Sequence, residues 1–337
     1  MRAHSCRAAK LAALTILVSV FLPATPSFAA TSDINGADTA WMIVATGLVL
    51  MMTIPALALF YSGMVRKKNV LATMAQSLAA VALISILWVA FGYSLVFVGD
   101  GPWLGTLHRG FLAGMTMDSV HPAAKTIPEC LFMLYQMTFA IITVALVAGS
   151  VADRMRFSAF LLFSIGWFML VYIPLAHWVW GGGFLERAGV LDFAGGLVVH
   201  LSAGTGGLVA AKVMGQRHGF GTENLSPFDL SLAVVGTGLL WVGWFGFNGG
   251  SALAADSRAV MAITATHLAA CADLGRSRMV YPAKAVRARH DLRRRCRSRN
   301  DYAGIRIRRA LAGYPDRHHR RARVFLGLYL AQTPFAI

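Results

Sequence analysis

The chain has 337 residues, of which 57% are hydrophobic and 14% charged, with a formal net charge of +16. Soluble domains carry about 25% charged residues, so this balance excludes an ordinary soluble domain and points to a membrane protein. The charge does not indicate nucleic acid either, because residues 273–337 hold 17 Lys and Arg against 4 Asp and Glu while the other 272 hold 14 against 11.

In chain order, the first element is an N-terminal leader over residues 1–29. Arg2, Arg7 and Lys10 precede an apolar run from Leu11 to Leu22, and Ser27-Phe28-Ala29 forms a small-x-small cleavage site. That is the three-part pattern of a secretory signal, whose removal places the mature N-terminus outside the membrane; a short anchoring helix is the alternative. Cys6 leaves with it. Cys130, Cys271 and Cys296 then form no CxxC and join no His/Cys cluster, so the cysteines indicate neither a disulfide framework nor a metal site.

A helix needs about 20 apolar residues to cross the hydrocarbon core. Six stretches qualify: Trp41 to Tyr61, Val70 to Val98, Cys130 to Gly149, Ser158 to Trp180, Gly195 to Met214 and Leu230 to Phe247. The first, third and fifth connections carry Arg66, Lys67, Lys68, Arg154, Arg156, Lys212 and Arg217. The opposite segments carry Arg109, Lys125, Arg187 and Arg258, spread over longer loops. The positive-inside rule therefore agrees with the leader on an outside N-terminus.

A seventh apolar stretch, Ala259 to Ala272, reaches only about 21 Å at 1.5 Å per residue, short of the ~30 Å core. It runs into the Arg-rich tail of residues 273–337. That tail reads as a basic arm for nucleic acid or anionic lipid, as a disordered regulatory tail, or as an out-of-frame translation. The interrupted helix favours the last.

Two polar features stand inside the apolar spans. Asp192 opens "LDFAGGLVVHLSAG" and His200 lies eight residues on, roughly 12 Å deeper along a helix. Asp192 can cap the helix through the amides after it. His200 reads as a packing histidine or as a group facing a cavity, since ionisable residues at that depth are costly. The second feature is aromatic. Tyr135 and Phe139 lie four apart on one helical face, Trp178 and Trp180 end the fourth span, and Trp244, Phe245, Phe247 and Ser251 end the sixth. Each ring alone fits an interfacial belt; if the helix ends converge, the rings form a cage for a small cation.

These stretches, "MTIPALALFYSGMVRKKNVL", "RFSAFLLFSIGWFMLVYIPLAHWVWGGG", "LDFAGGLVVHLSAG" and "WVGWFGFNGGSALAAD", resemble the ammonium transporter (Amt/Rh) family, over about Ala40 to Ala272. The resemblance implies an all-α polytopic membrane helix bundle in the inner (plasma) membrane. In the family, two inverted five-helix halves and one further helix enclose a narrow pore in each subunit of a homotrimer.

By that resemblance Trp180, Tyr135, Phe139 and Ser251 form the outer ammonium-recruiting site, with Asp192 supporting it. Phe139 and Phe247 form the gate, and His200 is the first of two pore histidines. Ammonium and ammonia are the implied substrates. A PII-type regulator is the family's partner, and membrane lipids surround the bundle; no cofactor, metal or nucleic acid is implied.

The second pore histidine's "FGVHG"-like motif does not occur, and His267 does not match it. On this reading residues 40–272 are a partial transporter domain whose second inverted repeat is largely missing, along with the PII docking region. Impaired conduction follows as an expectation, with a non-conducting ammonium sensor or dominant-negative subunit as the alternative. No GxSxG, HExxH or P-loop suggests an enzyme.

Overall fold

The computed structural model describes residues 34–272; the leader and the Arg-rich tail lie outside them. The described residues form helices and loops without a strand, apart from one isolated bridge between His121 and Ala124. Among them, six helices are long and apolar enough to cross a membrane: α1 Gly36–Met64, α2 Lys67–Phe97, α3 Glu129–Val151, α4 Phe157–Arg187, α5 Gly196–Met214 and α6 Leu230–Gly250. Residues 257–272 are also helical (α7). The chain is a multi-pass membrane protein. Most spans run a few residues beyond the expected apolar stretches, whereas α5 begins one residue later, at Gly196, and α2 ends one earlier, at Phe97. Asn35 accepts from the amides of Ala37 (2.8 Å) and Asp38 (3.2 Å), and Asp229 from that of Ser231 (2.7 Å).

Lipid offers no hydrogen bonds, so each span must satisfy its own backbone, and its outer side chains can stay apolar. Leu71, Leu162, Leu170 and Val213 accordingly project from the bundle. The spans are not uniform rods. Pro55 interrupts α1, where Ile54 leaves helical geometry (φ −122°, ψ 109°). Wider π-type turns at Trp88–Gly92 in α2 and Phe168–Tyr172 in α4 sit beside one another, with the rings of Trp88 and Phe168 at 6.4 Å.

The central column is α3, 78% buried along its apolar window against 28% for α5. It packs on α1, α2 and α5, while α6 lies along α1. Glycine allows that last approach: a Cβ at Gly236 would stand 2.6 Å from the Ala56 carbonyl oxygen, and one at Gly246 2.6 Å from that of Ala45.

Polar anchors close both ends. At one end, buried Glu129 accepts from the Tyr93 hydroxyl (2.9 Å) and pairs with Arg109 (3.1 Å). His177 on α4 sets Nδ1 2.7 Å from Val96 O and Nε2 2.7 Å from Gly101 O, tying α4 to the end of α2 and to the long 98–128 loop. At the other end, buried Asp153 is bonded by Asn69 and paired with Arg66 (3.6 Å) and Arg217 (3.4 Å). Arg154 donates to the carbonyls of Ala211 (3.1 Å) and Gly215 (2.6 Å) at the α5 terminus.

Candidate functional site

The Glu129–His177 end of the bundle also holds the ring cluster. The local fold starts at Asp192. Gly195 adopts a left-handed conformation (φ +85°), which turns four successive amides towards one carboxylate. Oδ1 accepts from Gly195 N (2.8 Å) and Gly196 N (2.7 Å), and Oδ2 from Leu197 N (2.9 Å) and Val198 N (2.9 Å). Both oxygens thus cap α5, stabilised further by the partial positive charge at a helix start. The Asp192 backbone acts separately, because its carbonyl accepts from Trp180 Nε1 (2.7 Å) and so fixes the indole.

From that indole a continuous chain of rings runs inward. Trp180 meets Phe139 nearly edge-on (5.9 Å, 87°), and Phe139 stacks on Phe247 (4.3 Å, 27°). Phe247 meets His200 at 5.7 Å and 78°. Tyr135 crowns Phe139 at 5.0 Å, and its hydroxyl lies 3.0 Å from the carbonyls of Gly246 and Phe247 and 3.4 Å from Ser251 Oγ. Ser251 donates to Phe247 O (2.8 Å). Tyr135, Phe139 and Phe247 are buried, whereas Trp180 and Ser251 remain half-exposed. Exposure thus falls from the half-buried rim to the buried pair of phenyl rings.

His200 lies beyond that pair. Its Nδ1 is 3.0 Å from Gly195 O, and its ring lies at 25° to that of Trp244, with centroids 6.4 Å apart. The contact with Gly195 O orients the imidazole, whose nitrogens donate or accept according to its tautomer.

The seven residues that the family resemblance assigns, Tyr135, Phe139, Trp180, Asp192, His200, Phe247 and Ser251, meet in this arrangement. Trp178 does not: it donates to Trp103 O (2.9 Å) and packs on Phe184 (5.2 Å). Phe245 faces His267 (6.0 Å) instead of the cluster. Three contributors were not evident from the chain. Gly250 brings backbone against Tyr135, where a Cβ would stand 2.7 Å from the hydroxyl. Trp244 reads from sequence as one more end-of-helix ring, yet it lies beside His200. Arg258 reads only as a loop charge, yet its guanidinium sits 5.9 Å from the Phe193 ring centroid. Among the described residues no group of three or more His, Cys, Asp and Glu forms a metal site.

Residues 40–278 match the model of the Ammonium Transporter Family. The chain belongs to the ammonium transporter family. It is 48% identical over 241 residues to a putative ammonium transporter of Methanothermobacter thermautotrophicus, covering 72% of this chain and 58% of that relative. Among solved structures, the G343C mutant of Candida albicans Mep2 superposes with a TM-score of 0.65 at 38% identity, over 71% of this chain and 53% of that one. A structure titled Sensor Amt Protein gives 0.64 at 27% identity, over 70% and 59%. The chain therefore spans a little over half the length of these relatives. The Methanothermobacter relative is described as a transporter and the last structure is titled a sensor; neither is described as an enzyme.

Proposed function

We propose that this chain recruits ammonium at the rim formed by Trp180, Tyr135, Phe139 and Ser251, and that this is the entry step of ammonia transport across an inner (plasma) membrane. The supporting observation is the position of Phe139. Its ring is shared by the half-buried indole of Trp180 and the buried face of Phe247. A cation at the rim meets ring faces and the Ser251 hydroxyl, which replace part of its water.

Below the rim, the stacked phenyls exclude a hydrated ion. A bare cation is costly at that depth, so ammonium hands its proton to water at the rim and neutral ammonia passes beside His200. Potassium has no proton to give up and is rejected at this step. Asp192 supports recruitment through structure: it holds the α5 start and, through its carbonyl, the indole. In this reading the N-terminus lies outside and the chain works in a homotrimer.

The likeness to the Sensor Amt Protein favours a second reading, in which the rim binds ammonium without conduction. Two assays on the full-length protein separate the readings. Methylammonium titration of tryptophan fluorescence reports recruitment, and uptake into proteoliposomes reports conduction. Binding and uptake that both vanish in Trp180→Ala support transport; binding with uptake equal to protein-free vesicles supports the sensor. Absence of saturable, Trp180-dependent binding would overturn the recruiting site itself.

A further inference from the structure

Arg258 touches both lips of the mouth. Its Nη2 donates to the carbonyl of Ala252 (2.9 Å), the residue after Ser251. Its guanidinium carbon lies 5.9 Å from the ring centroid of Phe193, the residue after Asp192. The side chain thus bridges the α6 end that supplies the recruiting hydroxyl and the loop that anchors the recruiting indole. Other charged groups near this end are held by backbone atoms. Asp192 is bound by four amides, Asp38 accepts from Ala255 N (2.8 Å), and Asp256 accepts from Ala259 N (2.9 Å). Arg187 reaches Gly182 O (2.8 Å) and Asp100 O (2.7 Å), with Glu186 beside it in sequence.

A fixed guanidinium beside a cation site opposes the cation. We infer that Arg258 is an electrostatic gatekeeper, setting the concentration at which the mouth fills with ammonium by repelling it. This rests on the recruiting function proposed above and concerns affinity, not the passage of ammonia. One peptide separates Ala252 from Ser251, which puts the guanidinium on the order of 9 Å from the hydroxyl. Two like charges at that spacing, at the water-filled rim of a protein, change affinity by about 2- to 20-fold as the effective dielectric constant falls from about 80 to about 20. Salt distinguishes charge from shape, because screening at high ionic strength shortens the Debye length to about 3 Å.

The test is methylammonium titration of the full-length protein by tryptophan fluorescence, at about 0.02 M and about 1 M sodium chloride. Arg258→Gln keeps a donor for Ala252 O and removes the charge; it is expected to tighten binding about 2- to 20-fold at low salt and under about 2-fold at high salt. Arg258→Lys keeps the charge and stays within about 2-fold of wild type. Unchanged affinity in Arg258→Gln, a gain that salt does not reduce, or the same gain in Arg258→Lys overturns the inference. If the glutamine variant does not fold, Arg258→Met, which retains the packing stem, replaces it with the same expectations. A wild-type protein without a Trp180-dependent response refutes the recruiting site instead.

Discussion

Replacing Asp192 by Asn removes a negative charge while changing almost no volume, so it separates the two ways this carboxylate can matter. Its oxygens accept four amides, two each. An Asn side chain has one acceptor oxygen and one NH2 donor. Whichever way it is turned, two amides keep a partner and two face a donor. Each stranded amide costs about 1–3 kcal/mol when water cannot reach it. Asp192 is only half-buried, so the lower end applies, and the expected loss is about 2 kcal/mol.

At about 2–4 °C per kcal/mol for a domain of this size, the melting temperature falls by about 4–8 °C. Asp192→Ala strands all four amides and falls further. Because the Asp192 carbonyl holds Trp180 Nε1, loosening of this turn also frees the indole, so methylammonium affinity drops together with stability. Thermal unfolding and fluorescence titration of both variants in detergent check this. An Asn variant with wild-type melting temperature but weakened binding would refute the capping argument, and would mean that the carboxylate's charge acts on ammonium directly.

Other perturbations follow from the same geometry. Gly250→Ala pushes a methyl to within 2.7 Å of the Tyr135 hydroxyl and 2.8 Å of the Ala45 Cβ, so melting temperature and methylammonium response should both fall. Gly238→Ala, with nothing within 4 Å, should gain up to about 1 kcal/mol from helix propensity and leave binding unchanged. Phe247→Ala removes a fully buried ring from the stack and should cost about 3–5 kcal/mol in chemical unfolding. His121 lies in the loop before α3, and burial lowers its pKa, only partly offset by the Phe97 carbonyl and Glu129, while Arg109 lowers it further. Stability from its neutral ring is therefore present above about pH 6.5 and lost as pH falls through the depressed folded value; His121→Gln should flatten melting temperature against pH over that window.

The spans were legible because their signal is long and redundant: about 20 apolar residues between basic or capping ends leave few alternatives in lipid. The ring cluster was legible only as separate parts. Nothing in "MLYQMTFA" or "WFGFNGGS" states that Phe139 and Phe247 stack, since that depends on how α3 and α6 cross α1. The family resemblance supplied the pairing, and the geometry supplied the distances. Arg258 and Trp244 escaped for a related reason. An arginine outside the long apolar spans and one ring in a row of four are unremarkable until the fold sets each beside a partner distant in sequence. Asp192 was the exception, because a carboxylate followed by two glycines gives a local capping pattern whose hydrogen bonds close within six residues.

Recruitment and passage need not share one fate in this chain. Every recruiting group at the rim, Tyr135, Phe139, Trp180 and Ser251, comes from residues 135–251, and the contacts that hold them are internal to the described bundle: Trp180 on Asp192, Tyr135 on Gly246 and Phe247, and Ser251 on Phe247. A rim assembled from such contacts should bind methylammonium in this protein whether or not ammonia then crosses. Passage asks more, because a neutral molecule beside His200 must be enclosed along the whole depth of the membrane. The decisive comparison is therefore between occupancy and flux in one preparation. Binding that saturates while vesicle uptake stays at the protein-free level would show the rim to be a complete ammonium receptor. Uptake saturating at the same concentration as the fluorescence change would show instead that occupancy of the rim limits the flux.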